Sequence, residues 1–192
     1  SGRGSNMAAI LKATQEQDFP AKVVVVISNK KDAKGLETAK SFNVPTFVID
    51  SKQFNSKSEY EQEIVKVLQS HDIQLLALAG YMKIVGKDIL SAYNNRILNI
   101  HPSLLPSFKG LHAQEQAINA GVKYSGCSVH FVDDSLDGGP IILQEVVKVE
   151  DNDTEETLSE KILKYEHQLY SKAIKLYAED KLEIINNKVK IK

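Results

Sequence analysis

The chain has 192 residues, and 24 Lys and Arg residues nearly balance 25 Asp and Glu residues, giving a formal net charge of −1. A chain of this length buries roughly 70% of the surface that its unfolded form exposes, so a hydrophobic content of 42% can build a core without disulfide staples. The near-neutral charge argues against a protein that binds nucleic acid by neutralising phosphates.

A single cysteine, Cys127, excludes an internal disulfide and a cysteine-rich zinc site, which is typical of a reducing compartment. The longest apolar runs, such as residues 75–79, are far shorter than the roughly 20 residues that span a bilayer. We therefore expect a cytoplasmic protein whose partners are small molecules, with no nucleic acid and no membrane. Oligomeric state stays open between a monomer and a homodimer.

Short apolar runs alternate with helical patterns in the first half of the chain. These runs are continuously apolar, which is typical of strands covered on both faces of a parallel sheet. The helix at 58–70 opens with a capping-box pattern that begins at Ser58. The order predicts a doubly wound, mostly parallel open sheet of the Rossmann-like α/β type. The predicted helices are residues 6–17, 34–42 and 58–70, and the predicted strands are residues 23–27, 46–49 and 73–79.

The second half predicts longer strands and one long helix. An antiparallel pairing of residues 125–132 with 141–149 would extend the sheet, and Asp153 would cap the long helix. Because no Pro/Gly/Ser-rich linker divides the chain, we expect one domain over residues 1–192. The remaining predicted elements are a strand at 96–101, helices at 112–120 and 154–178, and a terminal hairpin of 182–185 with 188–191.

The opening residues 1–6 form a short glycine loop ahead of the first helix. The backbone amides of Ser5 and Asn6, next to Gly4 and at a helix start, are suited to binding a single phosphate. The loop lacks the Lys of a P-loop and the third glycine of a dinucleotide site. The alternative is a vector-derived leader in front of Met7, with no function.

A second candidate site lies at the predicted strand end at residues 99–102. Asn99 and His101 are two apart on a strand, so their side chains share a face, and Pro102 ends the strand there. Ligands of open α/β sheets bind at such carboxyl ends. An amide donor beside an imidazole could stabilise an oxyanion, although a strand-end histidine bonded to backbone is the plainer interpretation.

A third candidate is the loop at residues 133–140, which carries three carboxylates. Its spacing does not match a calcium loop, and no paired-histidine or cysteine motif accompanies it. One carboxylate orienting a histidine or a water is the favoured role. His130, on the preceding strand, fits the pattern of a structural histidine.

Five segments occur in order: residues 1–6, 79–84, 99–106, 128–132 and 136–140. With them the chain resembles the phosphoribosylglycinamide formyltransferases, folate-dependent enzymes of purine synthesis, from residue 1 to about residue 177. The resemblance implies that a glycinamide amine attacks the formyl carbon of N10-formyltetrahydrofolate, without a metal, through a tetrahedral intermediate. Asn99 would hold the formyl oxygen, His101 would stabilise the oxyanion and move protons, and Asp137 would tune His101.

The resemblance also implies binding roles. It favours the phosphate role for Gly4, Ser5 and Asn6, and it assigns the glycinamide or ribose part to Glu166. Lys57 stands where the family often has an arginine for the folate end, so the charge is kept without the bidentate fork. A first strand is expected before residue 1. Folate contacts are implied for Lys57, Met82, Lys83, Ile84, Val85 and Asn99.

Three other functions stay open beside the transferase. A formyltetrahydrofolate deformylase would use water in place of the amine, and usually carries an added domain. A methionyl-tRNA formyltransferase would need a basic tRNA-binding domain that the charge does not indicate. A phosphosugar-binding module without catalysis would make the Asn99, His101 and Asp137 set incidental.

Overall fold

The computed structural model describes residues 4–192, so Ser1, Gly2 and Arg3 of the predicted phosphate loop lie outside the described residues. The chain forms two compact units, the first ending at Ile97 and the second running over Leu98–Lys192. Within the described residues, no helix has both the length and the apolar character that a membrane span requires.

The first unit alternates helices with three-residue strands. Strands β1 and β2 pair in parallel, with Val26 opposite Thr46. Leu11 of α1 and Ala39 of α2 are fully buried and form a core cluster with Val44. The elements are α1 (Ser5–Ala13), β1 (Val26–Ser28), α2 (Lys34–Ser41), β2 (Thr46–Val48), a 3-10 turn (Ser51–Gln53), α3 (Lys57–Ser70), β3 (Leu76–Leu78) and α4 (Lys87–Ala92).

The second unit is built on antiparallel strands. Strand β5 pairs with β4 on one side and with β6 on the other, and all but the first of its eight residues are buried. The elements are β4 (Ile97–His101), which starts at the unit boundary, α5 (Ala113–Asn119), β5 (Tyr124–Phe131), β6 (Ile141–Lys148), α6 (Glu155–Ala178), β7 (Leu182–Ile185) and β8 (Lys188–Ile191).

The predicted α/β fold class, parallel with an antiparallel extension, is confirmed. The pairing of β5 with β6 is confirmed, as is the terminal hairpin, whose turn residues Asn186 and Asn187 both have positive φ. That a single domain covers the chain stays a prediction.

Several predicted boundaries were wrong. The strands expected at 23–27 and 73–79 pair only over Val26–Ser28 and Leu76–Leu78. The first helix ends at Ala13 rather than 17, with Thr14 as its C-cap, and the Thr14 hydroxyl donates to the Leu11 carbonyl of the last turn. Helix α4 was not predicted, since its six residues are too few to show a helical period.

Two predicted helix caps were also wrong. Ser56, not Ser58, caps α3, and its hydroxyl accepts from the Glu59 amide at 3.1 Å. Thr154, not Asp153, caps α6 in a reciprocal box with Thr157. In both places a second oxygen-bearing side chain within two residues of the helix start satisfies the same sequence pattern.

Helix α6 holds the strand on which the catalytic residues are expected. Tyr170 is fully buried, and its hydroxyl donates to the backbone carbonyl of Leu98 on β4 at 2.8 Å. Leu98 precedes Asn99, so this bond fixes the backbone of β4 where it presents its polar face.

Replacing Tyr170 with Phe should lower the free energy of unfolding by about 1–3 kcal/mol, because the buried Leu98 carbonyl loses this donor. Urea denaturation measures the change. The control is Tyr165→Phe on the same helix, where the ring is 41% exposed and the change should stay within about 0.5 kcal/mol. An equal free energy of unfolding for the two variants would show that the bond from Tyr170 to the Leu98 carbonyl does not stabilise the protein.

Candidate active site

Four polar side chains share one face of the β4–β5 pair. Asn99 lies opposite His130, and His101 lies opposite Ser128 in the antiparallel register. Residues directly opposite in such a pair point to the same side of the sheet. The predicted shared face of Asn99 and His101 is therefore extended by two side chains of β5.

His101 is 5% exposed, and both of its ring nitrogens have partners. Nε2 lies 2.8 Å from the Phe108 carbonyl oxygen, and Nδ1 lies 3.5 Å from Asp137 Oδ2. A carbonyl can only accept, so Nε2 carries the hydrogen of that bond. Any proton that His101 exchanges in this arrangement passes through Nδ1, next to the Asp137 carboxylate.

The Asp137 carboxylate connects the two loops of the site. Oδ2 accepts from the Gly110 amide at 2.8 Å, and Oδ1 lies 3.7 Å from His130 Nε2. The residue has a left-handed backbone with φ of 45°, which costs free energy that local contacts offset. The structure thus brings Asp137 to His101, as the family resemblance implies.

Ser128 fastens the loop that supplies the Phe108 carbonyl. Its hydroxyl accepts from the Leu105 amide at 3.0 Å and from Gln144 Nε2 at 2.8 Å, and donates to the Ser103 carbonyl at 2.7 Å. With the serine fully buried, these bonds are screened little by water. Sequence reasoning assigned no role to Ser128, because its partners Ser103, Leu105 and Gln144 lie 16 to 25 residues away in the sequence.

Glu166 lies on α6 and is 7% exposed. Burial, followed by the negative charges of Glu166 and Glu145, raises the pKa of the Cys127 thiol to about 12. Cys127 is therefore a neutral, inert thiol, while the substrate-binding role of Glu166 stays a prediction.

The predicted phosphate loop enters α1 through Gly4. Gly4 is the N-cap residue of α1, with φ of 73°, and as a glycine it has no side chain with which to cap the helix amides. A Cβ on Gly4 would lie 3.2 Å from the Gly35 Cα at the start of α2. Ser5 and Asn6 occupy the first turn of α1, where helix amides and the helix dipole favour an anion.

Half of the residues expected to contact folate line an open cavity of about 520 Å³ in the first unit. Lys57, Lys83 and Ile84 line it, while Val85 is buried and Met82 is 68% exposed. The Lys83 ammonium donates to Ser51 Oγ at 2.6 Å and lies 5.0 Å from the Tyr60 ring centroid. The other lining residues are Ser51, Phe54, Asn55, Ser56, Tyr60 and Tyr81.

A buried carboxylate, that of Glu61, holds the end of the 79–86 segment. Glu61 is 1% exposed, and its Oε1 accepts from the Gly86 amide at 2.7 Å and lies 3.7 Å from the Lys57 ammonium. A Cβ on Gly86 would collide with both carboxylate oxygens of Glu61. The end of the 79–86 segment is therefore tied to α3 at one point.

Three exposed side chains of the second unit lie close enough to share a metal ion, with ligand atoms within 4.8 Å of one another: His112, Glu115 and Glu155. Exposed acidic groups commonly cluster in this way without a metal, so the cluster does not bear on the chemistry of His101 and Asp137. That the reaction needs no metal stays a prediction.

Comparison with known proteins identifies the family. The model of the formyl transferase family matches residues 1–174. The chain belongs to the formyl transferase family. The family resemblance expected from the five segments is confirmed.

Known proteins similar to this chain differ in their sequence identity to it. A phosphoribosylglycinamide formyltransferase of Bacillus subtilis (strain 168) is 43% identical over 91% of this chain and 90% of that protein. The crystal structure of glycinamide ribonucleotide transformylase 1 from Symbiobacterium toebii has a TM-score of 0.98 and 46% identity, covering 100% of this chain and 90% of the other. A formyltetrahydrofolate deformylase from Pseudomonas syringae has a TM-score of 0.91 and 26% identity, covering 98% of this chain and 62% of that one.

Gly4→Ala should lower the free energy of unfolding by about 2 kcal/mol, because a left-handed alanine is strained and its Cβ presses on the α2 backbone. Gly121→Ala is the matched control. It also has positive φ, but its Cβ would meet nothing within 4 Å, so about 1 kcal/mol is expected. Urea unfolding of both variants checks this, and an equal loss would refute the packing argument.

Proposed function

We propose that the protein transfers the formyl group of N10-formyltetrahydrofolate to the glycinamide amine of 5′-phosphoribosylglycinamide in purine biosynthesis. The observation that carries the proposal is the buried pairing of His101 Nδ1 with Asp137 at 3.5 Å, next to Asn99, in a member of the formyl transferase family. Identity of 43% to a phosphoribosylglycinamide formyltransferase, against 26% to a deformylase, favours an amine over water as the acceptor.

The chemistry proceeds through a tetrahedral intermediate. The amine nitrogen forms a bond to the formyl carbon, and the carbonyl electron pair moves to oxygen. Collapse then breaks the bond from carbon to N10 of the folate, which takes up a proton while the amine gives one up. The net change is one proton moved from the attacking nitrogen to the leaving nitrogen.

The residues of the second unit stabilise and move these charges. The Asn99 amide donates a hydrogen to the developing oxyanion, and protonated His101 adds positive charge beside it. Because Nε2 is held by the Phe108 carbonyl, the transferred proton uses Nδ1. Asp137 stabilises the imidazolium and holds the ring in this orientation through its contact with Nδ1.

Binding of the two substrates is assigned to the remaining residues. The amides of Gly4, Ser5 and Asn6 at the start of α1 take the phosphate of the glycinamide substrate. Glu166 contacts its glycinamide or ribose part. The folate pterin lies against the 82–85 segment, and Lys57 supplies positive charge at the folate end.

The test of this function is an incubation with the formyl donor, with and without phosphoribosylglycinamide. We expect tetrahydrofolate to form only when the amine is present, in equal amount to the formylated product. Formyl loss without the amine would identify a deformylase. No formyl loss in either reaction would identify a binding module.

His101→Ala and Asp137→Ala should each lower kcat by roughly 100-fold or more, since each removes part of the proton-transfer pair. KM for both substrates should change by less than about threefold, because neither residue is assigned to ground-state binding. His71→Ala, at the end of α3, is the control and should keep wild-type kinetics. Near wild-type kcat in a folded His101 or Asp137 variant would defeat the mechanism.

A further inference from the structure

His130 contacts two members of the proposed catalytic set but has no part in the mechanism above. Its Nε2 lies 3.3 Å from Asn99 Nδ2 and 3.7 Å from Asp137 Oδ1. The side chain is 2% exposed and sits at the register position opposite Asn99. A histidine in this place can fix the direction in which Asn99 presents its amide.

Hydrogen-bond partners determine the tautomer of His130. Nδ1 lies 2.8 Å from the Phe131 carbonyl oxygen, which can only accept, so Nδ1 carries the hydrogen. Burial lowers the pKa of His130 and the charge of His101 adds to this, although the hydrogen bond to the Phe131 carbonyl and the charges of Asp137 and Asp133 oppose it. A neutral ring with hydrogen on Nδ1 has a bare Nε2, which is an acceptor.

A bare Nε2 settles which end of the Asn99 side chain faces the ring. The amide nitrogen at 3.3 Å can donate to it, whereas the amide oxygen would meet a second lone pair. The opposite orientation would turn the oxygen of Asn99 toward the formyl oxygen and remove the donor that the oxyanion needs. The histidine thus selects one of two amide orientations of similar shape.

We propose that His130 is a positioning residue for formyl transfer: its neutral imidazole accepts one hydrogen of the Asn99 amide and thereby commits the other to the reacting oxygen. The proposal rests on the proposed function, because it acts through the role given there to Asn99. His130 itself touches neither substrate in this account.

Two substitutions distinguish the two hydrogen bonds of the His130 ring, one to Asn99 and one to the Phe131 carbonyl. In His130→Gln the side-chain oxygen can reach the position of Nε2 and keep the acceptor for Asn99, but the donor to the Phe131 carbonyl is lost. In His130→Asn the shorter amide can reach the position of Nδ1 and keep that donor, but the acceptor is lost. A role through Asn99 and a role in packing predict opposite rankings of these variants.

We expect His130→Asn to lower kcat by about 10- to 100-fold, with KM for both substrates within about threefold of wild type. His130→Gln should retain kcat within about fivefold. In an Asn99→Ala background the His130→Asn change should cost less than about threefold, since its effect passes through Asn99. His71→Asn is the control for the same substitution at a histidine of the first unit.

Equal kcat losses in the two His130 variants, a larger loss in His130→Gln, or full additivity with Asn99→Ala would each overturn the proposal. Wild-type kcat in a folded His130→Asn variant would do the same.

A spectroscopic measurement keeps the test independent of turnover and of the folding of any one variant. Long-range ¹H–¹⁵N spectra of the wild-type protein at neutral pH should show His130 with hydrogen on Nδ1 only. A hydrogen on Nε2, alone or with Nδ1, would overturn the proposal. The Asn99 side-chain amide signal should shift in His130→Asn and stay near its wild-type position in His130→Gln.

Failure of the proposed function and failure of the role of His130 give different results. If the wild-type protein transfers no formyl group in the incubation above, the proposed function fails. If it does transfer the group while the spectra or the variant ranking disagree with the expected pattern, only the role of His130 fails.

Discussion

The Asp137 carboxylate is the contact on which the geometry of the second unit depends. One oxygen accepts from the Gly110 amide and faces His101, and the other faces His130. The loop after β4, the loop before β6 and two strand histidines therefore meet at a single negative charge. Because its side chain is only 14% exposed, solvent screens these interactions weakly. The carboxylate can hold a positive imidazole next to it while bracing the backbone that faces it.

Sequence patterns predicted the order and type of most elements because burial on both faces gives continuous apolar strands, and one-sided burial gives helical periods. The residues at which strands and helices begin and end were harder to predict from the sequence. Val23 packs against the core formed by α1 and α2 but does not belong to β1, so its apolar character reports burial and not pairing. The caps at Ser56 and Thr154 depend on which of two neighbouring oxygens turns back to the helix, and local sequence leaves that choice open.

In the site, the period of a strand was enough to place Asn99 and His101 on one face. The role of Asp137 was predicted from the loop composition and the family resemblance, and the structure places its carboxylate beside His101. The functions suggested for Ser128 and His130 could not be predicted, because Ser128 acts through partners distant in sequence and His130 acts through the register between β4 and β5. A shift of that register by one residue would turn these side chains to the opposite face, and no local pattern records it.

The contact between Glu61 and Gly86 restricts how this chain can vary. The carboxylate fills the space in which any side chain at position 86 would have to begin. A residue with a Cβ at position 86 therefore requires the Glu61 carboxylate to move away, or a shorter side chain at position 61, and the hydrogen bond to the position-86 amide is lost when the carboxylate moves. Since the two positions lie 25 residues apart in the sequence, a glycine at 86 together with a glutamate at 61 in a related sequence would indicate the same contact between α3 and the 79–86 segment.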